Sequence, residues 1–79
     1  MTYCERKLKQ IYDNFTFSLG VYCHNEHLMG ILYVDALNQL NNQIIRLKKV
    51  RYPQGELTYF ANHYRRLMTQ YYESHQALA

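Results

Sequence analysis

The sequence predicts a mainly α fold: residues 1–79 as one small helical domain, a three-helix bundle with helices at about 3–22, 26–50 and 56–76, paired as a homodimer. Three observations carry this expectation. Apolar side chains recur at three- and four-residue spacing in three tracts. Helix-start signals stand at Thr2 and Asn25, and the single proline, Pro53, separates the second tract from the third. With 48% hydrophobic and 19% charged residues the chain is globular rather than disordered, yet 79 residues lie close to the smallest size at which one core sustains a fold.

The first helix opens on Thr2-Tyr3-Cys4-Glu5, a capping box in which the Thr2 hydroxyl accepts from the Glu5 amide and the Glu5 carboxylate reaches back. Cys4, Leu8, Ile11, Tyr12, Phe15 and Leu19 form its apolar stripe, and Glu5 and Lys9 are spaced as an i,i+4 ion pair. Asn25 caps the second helix, whose stripe runs through Met29, Tyr33, Leu37, Leu40, Ile44 and Leu47. Lys48, Lys49 and Arg51 gather at its end, where cations suit the negative pole of the helix dipole. Pro53 disfavours helical geometry at Tyr52, and Gly55 is read as the residue that permits a sharp turn. The last stripe then comprises Leu57, Phe60, Tyr64, Leu67, Tyr71 and Leu78, thickened by Ala61 and Met68.

Residues 15–34 also admit a different reading, an α+β fold with a β-hairpin at about 15–34 between helices. Phe15, Phe17, Leu19 and Val21 alternate with Thr16, Ser18 and Gly20, and a turn centred on Asn25 would pair Phe17 with Tyr33 and Gly20 with Gly30. The helical reading is preferred. On a helix Phe17 and Val21 fall opposite the Leu8/Ile11/Phe15 stripe, so a lone chain buries one set and exposes the other. A symmetric dimer covers both, and Phe17, Val21 and Ile31 are the candidate interface residues.

Catalytic and cofactor chemistry finds little support. Cys23, His24 and His27 offer three zinc-type donors, but a structural site needs four, and a free cysteine beside polar turn histidines accounts for them. No metal or other cofactor is expected. Glu5, Asp13, Glu26, Asp35, Glu56 and Glu73 are scattered without acid–base partners, and Gly20, Gly30 and Gly55 are too isolated to cradle a phosphate. The chain reads as a non-enzyme. Its apolar runs are too short to span a membrane, its start does not read as a signal peptide, and two cysteines suit a reducing compartment, so the expected location is cytoplasmic.

Binding chemistry is better represented. Nine tyrosines, with no tryptophan and three phenylalanines, supply rings that bury well and hydroxyls that need partners, a composition suited to macromolecular interfaces. Tyr59 and Tyr72 fall off the third stripe, close to Asn62, Arg65 and Arg66, and these five residues form the candidate partner-binding face. In an up-down-up bundle Arg6, Lys7 and Lys9 approach Arg46, Lys48, Lys49 and Arg51, making a basic end able to neutralise phosphates, with Tyr3 or Tyr52 stacking on bases. The leading expectation is a small accessory or inhibitor protein, of bacterial or phage type, that binds another protein stoichiometrically. A nucleic-acid-binding regulator using the basic end is the alternative.

Overall fold

The computed structural model describes residues 2–78 as three α-helices: α1 (Tyr3–Val21), α2 (Glu26–Lys49) and α3 (Gln54–Leu78). Each start has an identifiable cause. Thr2 Oγ1 accepts from the Glu5 amide at 3.2 Å, the half of the capping box that fixes α1. Asn25 Oδ1 accepts from the Leu28 amide at 3.0 Å and opens α2. The helix α3 starts two residues earlier than expected, with the Leu57 amide donating to the Pro53 carbonyl at 3.0 Å. Proline suits that position, since its missing N–H would have had no helical acceptor.

The hairpin alternative is not supported. The described residues contain no strand, and the segment 15–34 is the end of α1, a short turn and the start of α2. Burial follows the helical period: Phe15 and Leu19, one turn apart on α1, enter the core while Phe17 and Val21 stay exposed, whereas a strand would have set all four on one face. Asn25 is spent on capping rather than on a hairpin turn.

The end of α2 corrects the turn assignment. Gly55 lies inside α3, and the left-handed residue is Arg51, at φ 59°. The Arg51 amide donates to the Lys48 carbonyl at 3.1 Å and the Tyr52 amide to the Leu47 carbonyl at 3.1 Å, a complete Schellman motif closed by a non-glycine residue. Tyr52 is thereby aimed back at α1. Its hydroxyl accepts from the Cys4 amide at 3.3 Å and donates to Glu56 Oε1 at 3.3 Å, satisfying an amide of the first turn of α1 and tying all three helices at one end. This places the start of α1 beside the α2–α3 turn, as an up-down-up path requires.

All three helices pack on one another in a rod of 41 × 16 × 15 Å. The core takes Cys4, Leu8, Phe15 and Leu19 from α1; Met29, Ala36, Leu40, Ile44 and Leu47 from α2; and Leu57, Ala61, Tyr64 and Met68 from α3. The expected stripes therefore supply this core except for Ala36, which none of them included, and the side chain of Leu78 lies outside the described residues. One expected surface contact differs. Lys9 pairs with Asp13 at 2.8 Å instead of with Glu5, and the exposure of both side chains makes this pair worth little. Among the described residues, no helix is long and apolar enough to cross a membrane.

Two outcomes are expected. Arg51→Gly removes the cost of a left-handed L-residue and raises stability by about 0.5–1 kcal/mol, net of the extra freedom glycine gives the unfolded chain; urea denaturation measures it, and a loss of stability would contradict the αL assignment. Burial raises the pKa of the Cys4 thiol and of the Tyr12 and Tyr64 phenols. A raised folded-state value means that their contribution is intact below the unfolded pKa and is lost as pH rises through the folded one. Stability should thus fall from about pH 9 upward, and the fall should be shallower in Tyr64→Phe. A urea midpoint independent of pH across that window would count against it.

Candidate functional site

The nine tyrosines divide by location, and the division decides which of them can meet a partner. Tyr64 is buried, Tyr12, Tyr33, Tyr52, Tyr71 and Tyr72 are half-buried, and only Tyr3, Tyr22 and Tyr59 are exposed. The half-buried rings line the seams between helices. Phe15 meets both Tyr33 and Tyr71 with ring centroids 6.1 Å apart, Tyr33 lies flat on Tyr72 at 4.4 Å and an interplanar angle of 4°, and Tyr12 meets Tyr64 at 5.9 Å. Hydroxyls at these seams find acceptors: Tyr33 Oη lies 2.8 Å from Thr69 Oγ1, and Tyr71 Oη reaches the Thr16 carbonyl at 3.5 Å.

The five residues expected to form one α3 face are therefore not equivalent. Tyr72 turns towards α2, where it stacks on Tyr33 and its hydroxyl lies near Gly30; a Cβ built on Gly30 would stand 3.6 Å from that oxygen. Arg65 remains exposed but is drawn to the same seam, donating to Asn41 of α2 at 3.0 Å and to Asn62 at 3.4 Å. Tyr59, Asn62 and Arg66 stay together on the outward stripe of α3, at i, i+3 and i+7, beside a shallow depression of about 410 Å³ lined by Asn62, Arg65, Arg66, Thr69 and Gln70. Tyr59 is 65% exposed, and its ring is braced edge-on by Phe60 at 5.1 Å and parallel to His63 at 6.2 Å. A ring held in this way loses less freedom on docking.

Charge on this stripe is one-sided. No Asp or Glu occurs between residues 57 and 72, and the one ion pair among the described residues is Lys9 with Asp13, so Arg65 and Arg66 lack a carboxylate partner. At the end marked by the Cys4–Tyr52 bond stand Arg6, Lys7, Lys9, Arg46, Lys48, Lys49 and Arg51, whereas residues 10–45 contain no lysine or arginine at all. Arg6 and Lys7 lie over the exposed Tyr3 ring, 5.8 and 5.4 Å from its centroid. Tyr52, the other expected base-stacking ring, is committed to its hydrogen bonds within the fold.

The proposed dimer residues Phe17, Val21 and Ile31 are all exposed, Phe17 to 76%. They lie on two helices. The α1–α2 seam is lined by Ile11, Asn14, Phe15, Ser18, Leu32, Asp35, Ala36 and Gln39, while Phe17 and Val21 project outward from α1 and Ile31 outward from α2. Exposed Val34 and Ile45 on α2, with Val50 beyond its end, were not anticipated. A second apolar phase on α2, half a turn from the core stripe, is the signal that could have found Val34 and Ile45. Cys23 is half-buried and His24 and His27 are exposed; among the described residues no group of three His, Cys, Asp or Glu side chains is placed to hold a metal ion.

Substitution separates the two kinds of tyrosine. Tyr72→Ala removes the Tyr33 stack and should cost about 2 kcal/mol in a denaturant titration, whereas Tyr59→Ala should stay within about 0.5 kcal/mol of the parent. Equal losses would mean that Tyr59 belongs to the fold. Comparison of the chain with protein-family models, curated proteins and solved structures gives no match.

Proposed function

We propose that the protein acts stoichiometrically by binding another protein, with Tyr59, Asn62 and Arg66 on the outward stripe of α3 as the docking element and Arg65 at its edge. The observation that supports this most is the pairing of a braced, exposed aromatic with two arginines that have no carboxylate partner among the described residues. Tyrosine and arginine dominate interface hot spots, because each combines broad contact area with directional polar groups. The complementary partner surface is acidic and holds a shallow pocket for the Tyr59 ring. Docking there acts by occupancy, blocking or recruiting the partner without chemistry on it, as an accessory or inhibitor of bacterial or phage type would.

A second reading is supported by a separate observation, the Arg6 and Lys7 side chains over the exposed Tyr3 ring, at the end of the fold towards which α2 brings its own basic residues. A nucleic-acid-binding regulator would use Arg6, Lys7, Arg46, Lys48, Lys49 and Arg51 against phosphates, with Tyr3 stacking on a base. The two readings respond differently to salt and to mutation.

Affinity purification of the tagged chain, with and without nuclease and alongside the Tyr59→Ala/Arg66→Ala variant, tests the choice. The expected result is a nuclease-resistant protein, retained at moderate salt, that the double variant loses at least tenfold. Identical recovery by parent and variant would overturn the α3 assignment. Loss of all bound material on nuclease treatment, together with sensitivity to replacement of Lys48, Lys49 and Arg51, would favour the regulator.

A further inference from the structure

The outward face of α2 carries a pattern that the fold does not use. Ile31, Val34 and Ile45 are 50%, 56% and 51% exposed, and with Asn38 they follow one helical stripe on the side of α2 away from the core. An open groove of about 650 Å³ follows the first half of that stripe, along Glu26, His27, Ile31, Val34 and Asn38. The spacing is symmetric about Asn38. Val34 and Asn42 lie four residues to either side of it, Ile31 and Ile45 seven, and His27 and Lys49 eleven. In a two-fold antiparallel pair centred on Asn38, Ile31 and Ile45 are therefore partners, as are Val34 with Asn42 and His27 with Lys49.

We infer that a second copy of this chain packs on this face, its α2 antiparallel to the first, with the two-fold axis passing at Asn38. Ile31 of each copy then meets Ile45 of the other, and the two Asn38 amides face each other, each able to donate one hydrogen bond and accept one. Charge fixes the direction. The start of α2 carries Glu26, and its end carries Arg46, Lys48 and Lys49. The antiparallel arrangement sets Glu26 of one copy beside Lys48 and Lys49 of the other and opposes the helix dipoles, whereas a parallel one crowds both cationic ends together. On α1 the exposed Phe17 and Val21 both lie near one end, and the last turn carries no cation to meet a carboxylate of a second copy. The stripe from His27 to Lys49 is about 33 Å long and about 10 Å wide, less than a standard permanent interface, so the dimer is reversible and concentration-dependent. This inference concerns α2 and stands independently of docking through α3.

Mass in solution and disulfide trapping test it together. Light scattering on the unaltered chain, over roughly 1 µM to 1 mM, should show the mass rising from monomer to dimer. In a Cys23→Ser background, mild oxidation should cross-link Asn38→Cys with itself and Ile31→Cys with Ile45→Cys in a mixture, but neither isoleucine variant alone. Like positions at 31 or 45 would lie about 21 Å apart along the axis, far beyond disulfide reach. A monomer at every concentration would overturn the proposal. So would self-cross-linking of Ile31→Cys alone, which marks a parallel pair, or a dimer that none of these cysteines traps and that Phe17→Ser abolishes.

Discussion

A tyrosine ring gains from burial only if its hydroxyl keeps a partner, and this bundle is arranged around that constraint. The rings of Tyr33, Tyr52, Tyr71 and Tyr72 enter the seams between helices from the outside, so that their bodies extend the aliphatic core while their hydroxyls stay near the surface. Among the described residues no buried side-chain nitrogen or oxygen lacks a partner. For a chain of 79 residues this matters, because Leu8, Leu19, Leu40 and their neighbours form a narrow core in a rod only 15–16 Å across. Aromatic walls widen the apolar contact of each helix pair without requiring a longer chain.

Tyr52 shows how one such residue organises an end of the molecule. The Arg51 backbone turns it inward, its ring packs on the core and its hydroxyl closes the first turn of α1. That single junction fixes the up-down-up path and therefore where the charges fall. Seven cations lie towards the end held by Tyr52, with Glu5 and Glu56 among them, while Glu26, Asp35 and Glu73 lie towards the other. The outward faces then differ in character: aromatic and cationic on α3, apolar with amides on α2, and apolar around Phe17 on α1. Three dissimilar faces keep the proposed self-contact on α2 apart from the proposed docking stripe on α3.

Much of the fold was legible because local and tertiary preferences agree. Thr2 and Asn25 cap where their side chains lead one to expect, and heptad-like spacing placed nearly every core residue. The failures have physical causes. Gly55 attracted the turn assignment because glycine is the usual left-handed residue, whereas Arg51 takes that conformation at a cost covered by the surrounding hydrogen bonds. Tyr72 was assigned to solvent because a single-helix wheel sees only its own helix; what draws it in is Tyr33 of α2, with room beside Gly30. The contact of exposed Arg65 with Asn41 escapes a helix wheel for the same reason, since Asn41 lies 24 residues away on α2. Of the nine tyrosines, Tyr3, Tyr22 and Tyr59 are exposed and the other six pack at the seams or in the core, a division that composition alone does not show.

Nitration of the native chain near pH 8, with each site quantified by mass spectrometry, tests this division of the tyrosines directly. The account predicts fast modification at Tyr3, Tyr22 and Tyr59, slow modification at Tyr33, Tyr71 and Tyr72, and the slowest at Tyr64, with all nine equal once the chain is unfolded. Modification of Tyr33 and Tyr72 as fast as that of Tyr59 in the folded chain would contradict it, because the seam between α2 and α3 would then be open to solvent.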